Sequence, residues 1–325
     1  MITRRHFNFL LASAAIAPMA AARGAVYPDR PVSITMQAPA GGGPDVIARI
    51  VADSLAHKWR QQVLIVNRPG GGGVIALQAA LAAPEDGYQL FMALSSTFVV
   101  LPETHPELGA RLRSDLKPVG LIGEQPMVIA VNARLGIRTL KELVTRAKAN
   151  PGDLLYGSAK GSLPNLTGEL FQKRAGIKLT YVPYQSLAKA TQDGASGTTQ
   201  IVIESLSALA AFFQAGTLKP LAIAAAKRVP NYPDLPTVAE ALPEAGSFES
   251  RGWFALLAPA ATPDSVVSQL SADLHSALND DALRTRFAAL GTYPRPSTPE
   301  EARRFIADEQ ALWKGPVDAV FSVTH

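Results

Sequence analysis

Short apolar runs alternate along the chain with glycine-containing turns and with stretches of helical periodicity. Strands are predicted at 32–36, 63–66 and 88–94. After the first strand, apolar residues recur at helical spacing from Ile47 to Leu55. Strand, turn and helix in regular alternation favour right-handed crossovers and a largely parallel sheet.

The same alternation resumes in the second part of the chain. Further strands are predicted at 126–131, 154–156, 179–182, 201–203, 221–224 and 253–257. Helices are predicted to begin at the capping boxes of Thr139 and Thr298, and at an N-cap formed by Thr262. No internal repeat is evident.

This order of elements predicts an α/β fold with two lobes. Residues 26–125 together with 237–325 are expected to form lobe 1, and residues 126–236 to form lobe 2. A chain that leaves one lobe, builds another and returns creates a hinge with a cleft. Ligands of open α/β sheets bind at the carboxyl ends of the strands, and those ends therefore point to the site.

The first 22 residues have the pattern of an export signal. Arg4 and Arg5 precede an apolar run at 7–17, and alanines at 20–22 offer a cleavage site. The order of residues 3–7 resembles a twin-arginine signal, although a general secretory route stays open. An amphipathic N-terminal helix of a cytosolic protein is the alternative. Export followed by signal removal predicts a periplasmic protein.

Composition narrows the chemistry that is available. The chain has 325 residues, of which 47% are hydrophobic and 18% charged, so it can bury a sizeable core. It contains no cysteine and five histidines, and we therefore expect no disulfide, metal or cofactor. A formal charge of +4 that is scattered along the chain does not predict a nucleic-acid partner.

The turn at 39–45 has the strongest chemical pattern. Three consecutive glycines expose backbone N–H groups, and the following helix directs its positive end to the same place. Such a turn could hold a carboxylate without a buried cation; a tight turn without a ligand is the open alternative. The turn lacks the lysine of a phosphate-binding loop and the spacing of a dinucleotide fingerprint.

Three other segments contain residue types that also occur in functional sites. The glycine turn at 67–73 is more simply a backbone turn that opens a helix. The turn at 157–162 offers hydroxyls and Lys160, which either meets an anionic ligand or is solvated. The spacing of Ser186 and Lys189 fits an S-x-x-K motif, but its companion motifs are missing, so a helix N-cap is the simpler interpretation.

At these motifs the chain resembles the Bug-type receptors, the periplasmic binding proteins of tripartite tricarboxylate transporters. The resemblance extends in order over nearly the whole chain after the export signal. It is carried by YPDRPV at 27–32, AGGGPDVIAR at 40–49, VNRPGGGG at 66–73, PEDGYQL at 84–90, AKANPG at 147–152, GELF at 168–171, VPY at 182–184, PTVAE at 236–240 and APAATP at 258–263.

The resemblance implies a type II periplasmic-binding-protein fold with a cleft for a small carboxylate. It also implies delivery to membrane permease subunits, or else a role as a sensor, and a monomeric state. The candidate binding residues that follow are Pro39, Ala40, Gly41, Gly42, Gly43, Asp45, Ser95, Ser96, Thr97, Ser158, Lys160, Gly161, Ser162, Asn165, Tyr184 and Glu204.

The sequence departs from the family pattern in the predicted wall of the second lobe. Lys160 stands where the family usually has a small residue, and Asn165 where it often has histidine. Gln200 replaces a common aspartate, with Glu204 nearby. Lys160 therefore suggests either an additional anionic group on the ligand or an ion pair with Glu204.

Two other functions are open to a chain with this organisation. An exported hydrolase or transferase on a similar scaffold would need a nucleophile with a base in reach, and the scattered histidines offer none. A transcriptional regulator with the same pair of lobes would need a DNA-reading helix before the first strand, where only the export signal lies.

Overall fold

The computed structural model describes residues 27–321, so the predicted export signal lies outside the described residues. Within that range the chain forms ten strands: β1 (Val32–Met36), β2 (Val63–Asn67), β3 (Gln89–Leu94), β4 (Leu116–Asn132), β5 (Leu155–Ala159), β6 (Thr180–Tyr184), β7 (Ile201–Ser205), β8 (Leu218–Ile223), β9 (Arg251–Pro259) and β10 (Tyr293–Pro294).

The helices of the same range lie between and after these strands. They are α1 (Gly43–Trp59), α2 (Val74–Leu81), α3 (Ser95–Val99), α4 (Leu101–Thr104), α5 (Pro106–Asp115), α6 (Leu140–Ala149), α7 (Leu163–Ala175), α8 (Leu187–Ser196), α9 (Leu206–Gln214), α10 (Val238–Ala241), α11 (Asp264–Leu278), α12 (Asp281–Ala289) and α13 (Pro299–Phe321). Between residues 27 and 321, no helix combines the length and the apolar character needed to cross a bilayer.

The strands form two groups that share β4. In lobe 1 the order is β2-β1-β3-β9-β4, with β1, β2 and β3 parallel as predicted and β9 antiparallel. In lobe 2 the order is β4-β7-β5-β6, and β5 runs parallel to both β6 and β7. The strand β10 pairs with the middle of β4, at Gly123 and Glu124, and β8 pairs with its last residues, Val128 to Asn132.

The prediction of a strand at 126–131 is wrong in length, because β4 runs from Leu116 to Asn132. Its first half pairs with β9 in lobe 1, and its second half pairs with β7 and β8 in lobe 2. The prolines and glycines of the first half interrupt the apolar pattern. They mark irregular register at Pro118/Gly120 and Leu121/Gly123, where the strand bends and continues.

Each lobe buries apolar side chains on both faces of its sheet, and α13 joins the two lobes. Phe305 and Ile306 of α13 lie in the lobe 1 core beside Trp253. Trp313 and Val317, further along the same helix, lie in the lobe 2 core. One continuous helix is therefore packed in both cores.

The predicted helix starts are only partly confirmed. The hydroxyls of Thr139 and Thr298 accept from the amides three residues on, as capping requires. Thr262 is not an N-cap, because Pro263 occupies that position and the Thr262 hydroxyl is buried without a partner. Ser186 is confirmed as an N-cap, since its hydroxyl accepts from the amide of Lys189.

Candidate functional site

The glycine turn after β1 forms an exposed loop that leads into α1. Gly41 adopts a positive φ of 78°, and the amide of Gly42 donates to the carbonyl of Pro39 at 3.3 Å. Gly43 is the first residue of α1, so its N–H has no partner within the helix. A Cβ built on Gly41 or Gly43 would meet no atom within 4 Å. The space in front of this loop is therefore open.

Asp45 holds the loop in this shape from below. Its side chain is 2% exposed, and its carboxylate accepts from the amide of Gly41 at 2.8 Å. Arg49 and Asn67 donate to the same carboxylate. Burial alone would raise the pKa of Asp45, but these hydrogen bonds outweigh it and hold the pKa below its ordinary value. Both carboxylate oxygens thus accept hydrogen bonds from the protein, and Asp45 thereby braces the loop, that is, it stabilises the loop's conformation.

Asn67 gives the second glycine turn a role that the sequence did not reveal. Its side-chain amide donates both to Asp45 and to the carbonyl of Ala38, one residue before the loop. The turn from 67 to 73 therefore supports the first loop from the neighbouring strand.

Gln37 joins the first loop to the start of α3. Its Nε2 donates to the hydroxyl of Ser96 at 3.1 Å, and its Oε1 accepts from the hydroxyl of Thr97 at 2.5 Å. Ser95 and Thr97 are buried, while Ser96 is half-buried. These three candidates form the first turn of a short helix rather than a loop, and only Ser96 is partly open to solvent.

The turn after β5 forms the corresponding loop of lobe 2. Gly161 has a positive φ of 72°, and its amide donates to Oδ1 of Asn165 at 3.0 Å. The amide of Ser162 donates to the carbonyl of Ala159, and the Ser162 hydroxyl caps α7. The hydroxyls of Ser158 and Ser162 lie 3.0 Å apart.

Asn165 is the brace of this second loop. It is 2% exposed, and its Nδ2 donates to the hydroxyl of Tyr156, which in turn donates to Glu169 at 2.5 Å. Burial, together with Glu169, raises the pKa of Tyr156, so that its hydroxyl stays protonated. Neither Tyr156 nor Glu169 was predicted as a site residue, because nothing local in the sequence links them to the loop.

The two loops have the same local geometry, a structural repeat that is not evident in the sequence. Gly42 and Ser162 occupy the same N-cap position, with φ/ψ of −74°/162° and −72°/159°. In both loops the glycine before the N-cap donates to a side chain four residues on, at Asp45 or at Asn165. Ala40 of the first loop therefore corresponds to Lys160 of the second.

The remaining candidates in lobe 2, which are Lys160, Tyr184 and Glu204, differ in exposure and in hydrogen-bond partners. Lys160 is exposed, and among the ion pairs of residues 27–321 none joins it to Glu204. Glu204 is 8% exposed at the end of β7, and burial raises its pKa although the Ser205 amide donates to it. Tyr184 donates to Asp193, and its ring covers Gly157.

The cavities of the described chain lie away from the two loops. Five well-formed cavities of the described chain, of about 320 to 800 Å³, are lined by residues other than these two loops. The loops instead face open space. Within residues 27–321 no group of three His, Cys, Asp or Glu side chains could hold a metal ion. The hydroxyl of Ser158 lies beside that of Ser162, which in turn donates to the carbonyl of Ala159.

The fold and the two amide-lined loops define a two-lobed binding protein of the periplasmic type II class. The family model of the tripartite tricarboxylate transporter family receptor matches residues 47–320. Protein BugT of Bordetella pertussis is 35% identical over 294 residues, which cover 90% of this chain and 89% of that protein. The chain therefore belongs to this receptor family, as the sequence motifs predicted.

Solved structures agree with this assignment. The chain is similar to Rpa4515 of R. palustris, solved with adipate, with a TM-score of 0.77 and 30% identity over 90% of this chain and 98% of that one. It is also similar to MatC of Rhodopseudomonas palustris with bound malate, with a TM-score of 0.72 and 28% identity over 90% and 100%. The type II periplasmic-binding-protein fold is thereby confirmed.

Proposed function

We propose that this protein is an exported, non-catalytic receptor of the periplasm that captures a small carboxylate in the cleft between its lobes. It then delivers the ligand, as a monomer, to the membrane subunits of a tripartite transporter. The observation that carries the proposal is the loop at 39–45, which Asp45 holds in place, which is open to solvent, and in which the N–H of Gly43 at the start of α1 has no partner within the helix. The adipate and malate in the titles of similar structures support the ligand class.

The proposed lobes comprise residues 26–125 with 237–325, and residues 126–236. A ligand shifts the balance between open and closed forms only by its difference in affinity for them, so both lobes must contact it. The two loops supply such contacts symmetrically, because each ends at the N-terminus of a helix. One carboxylate oxygen would accept from the amide of Gly43, and the second loop would add the corresponding amide, that of Leu163 at the start of α7.

Lys160 gives the second loop a cation that the first loop lacks at Ala40. Its ammonium group has no ion pair in the described structure, so we assign it to a second anionic group of the ligand. The alternative interpretation, a pair with Glu204, has no support in the geometry. A ligand with two acidic groups would thus be preferred to its mono-acid analogue.

A glycine substitution tests the proposal with little risk of misfolding. Gly43→Ala adds a methyl group that meets no protein atom within 4 Å but enters the space in front of the loop. Gly315→Ala in α13 is the matched control, since its added methyl group also meets nothing within 4 Å.

The measurement is the thermal stabilisation of the purified protein by a panel of mono-, di- and tricarboxylates, after native mass spectrometry for any acid that copurifies. We expect at least one carboxylate to raise Tm for the wild type and for Gly315→Ala, and to have less effect on Gly43→Ala. A panel without any response, or equal responses in both variants, would refute the proposal.

A further inference from the structure

One of the five cavities described above, of about 680 Å³, lies beside β4, the strand that the two lobes share. One wall includes Phe305 and Asp308 of α13, and the opposite wall includes Arg174 at the end of α7. Ser162 caps the other end of α7, and twelve residues of helix separate the two positions by about 18 Å. The cavity is therefore distinct from the amide loops, and its volume is in the range of small-molecule sites.

Arg251 lies at the base of this cavity and is neutralised by protein carboxylates. It pairs with Glu249, with Glu309 at 3.2 Å and with Glu124 at 3.5 Å, and its side chain is 14% exposed. Glu124 also pairs with Arg295 at 2.8 Å. Three of the four acidic side chains that line the cavity therefore already form ion pairs with arginine side chains.

One buried donor of the cavity lining has no acceptor. The hydroxyl of Tyr293 is shielded from solvent and donates no hydrogen bond in the described structure, whereas the Nε of Arg251 faces Oε2 of Glu124 at 3.5 Å. Burial raises the pKa of Tyr293 to about 12, so its hydroxyl keeps the proton that it could donate. Buried donors are normally satisfied, and an unmet donor in a cavity lining indicates an acceptor that the protein itself does not provide.

Two further cations of the lining have no counter-charge. Arg174 and Lys227 are exposed on the lobe 2 wall, and no ion pair or hydrogen bond of the described residues engages their charged groups. Arg228, next to Lys227, is different, because it is paired with Glu240. The lining thus combines an unmet donor with unpaired positive charge, and both favour an occupant that is anionic and rich in acceptors.

We propose that this cavity is a second binding site, for a small molecule with an oxyanion group such as a phosphate. Arg174 and Lys227 contact the oxyanion from lobe 2, while the hydroxyl of Tyr293 supplies a donor beside the connecting strands. Because the walls come from both lobes, the occupant binds the open and closed forms differently. It therefore changes the affinity of the cleft for its carboxylate, and the carboxylate changes the affinity of this cavity by the same factor.

The test uses inorganic phosphate as the probe, with glycerol 3-phosphate and citrate as separate arms that distinguish a free phosphate, a phosphomonoester and a carboxylate source. Two of the three tryptophans, Trp253 and Trp313, donate to Glu309 in the cavity lining, so intrinsic fluorescence reports occupancy. Isothermal titration at constant ionic strength, balanced with chloride, gives the affinity and the number of sites.

Arg174→Gln/Lys227→Gln is the test variant, and Lys178→Gln/Arg284→Gln, which removes the same charge from exposed positions elsewhere, is its control. We expect saturable binding of one of the three probes in the wild type, weakened roughly tenfold or more in the test variant and unchanged in the control and in Gly43→Ala. Tyr293→Phe should also weaken binding. The proposal is overturned if none of the probes binds saturably, if both charge variants lose affinity equally, or if only Gly43→Ala loses it.

Discussion

The bracing role of Asp45 makes a prediction that separates it from a ligand contact. In Asp45→Ala the loop loses its four hydrogen bonds to this carboxylate, from Gly41, Asn67 and twice from Arg49. Arg49 is half exposed, so its ion pair contributes about 0–1 kcal/mol. The other two bonds go to a charged acceptor and are worth about 1.5 kcal/mol each at the lower end.

Together these bonds give a loss of about 3–4 kcal/mol. An unfolding entropy of about 2.1 cal/mol/K per residue, over a chain of roughly 300 residues, converts this loss into a fall in Tm of about 5 °C. Asp45→Asn should lose less, because its amide oxygen can still accept from Gly41. Asp53→Ala, an exposed change on the same helix, should leave Tm within about 1 °C.

Scanning calorimetry at pH 7 measures the change, and carboxylate titration measures binding in the same samples. The pKa of Asp45 is depressed in the folded protein, so its contribution is present above the unfolded pKa and is lost as pH falls through the folded value. Asp45→Ala should therefore approach the stability of the wild type in strong acid. If Tm is unchanged while binding is abolished, Asp45 contacts the ligand and the bracing argument is wrong.

Three further predictions concern lobe 2 and the connecting strands. Gly161→Ala should lower Tm and weaken carboxylate binding, because its φ is positive and the new methyl group would lie 2.5 Å from Phe321; normal melting and binding would contradict this. Glu204→Gln should stabilise the protein at pH 8 more than at pH 5, since the raised pKa of Glu204 makes the wild type less stable as pH rises; a pH-independent difference in melting would count against it. Glu309→Ala should cost about 3–5 kcal/mol in denaturant unfolding, because it leaves Arg251 short of a buried partner.

Local patterns in the sequence were sufficient for the parts of the site that are built locally. The first loop was predictable because its glycines, the apolar strand before it and the helical spacing after it lie within one short segment. The N-cap at Ser186 was predictable for the same reason. The family motifs also predicted the type II periplasmic-binding-protein fold. Local pattern alone predicted only an α/β fold with two lobes.

The partners that hold the loops were not predictable, because they come from distant positions. Gln37 meets Ser96 and Thr97 across about 60 residues of sequence, and Asn67 reaches Asp45 across 22. A single sequence carries no signal for such pairs. The length of β4 was not predictable for the same reason. Its glycines and prolines resemble a turn when the strand that pairs with them, β9, is unknown.

The two loops share one geometry with different charge, and that difference predicts opposite responses to pH. Asp45 has a cationic partner in Arg49, whereas Asn165 lies between the amide of Gly161 and the hydroxyl of Tyr156. Because that hydroxyl already donates to Glu169, an aspartate at 165 would be a buried charge with one donor and no cation. Asn165→Asp should therefore lose about 3 kcal/mol or more at neutral pH and regain stability as pH falls and the carboxylate is protonated. Thermal melts from pH 5 to 8 measure this, and a profile parallel to that of the wild type would show that the Asn165 site tolerates a charge.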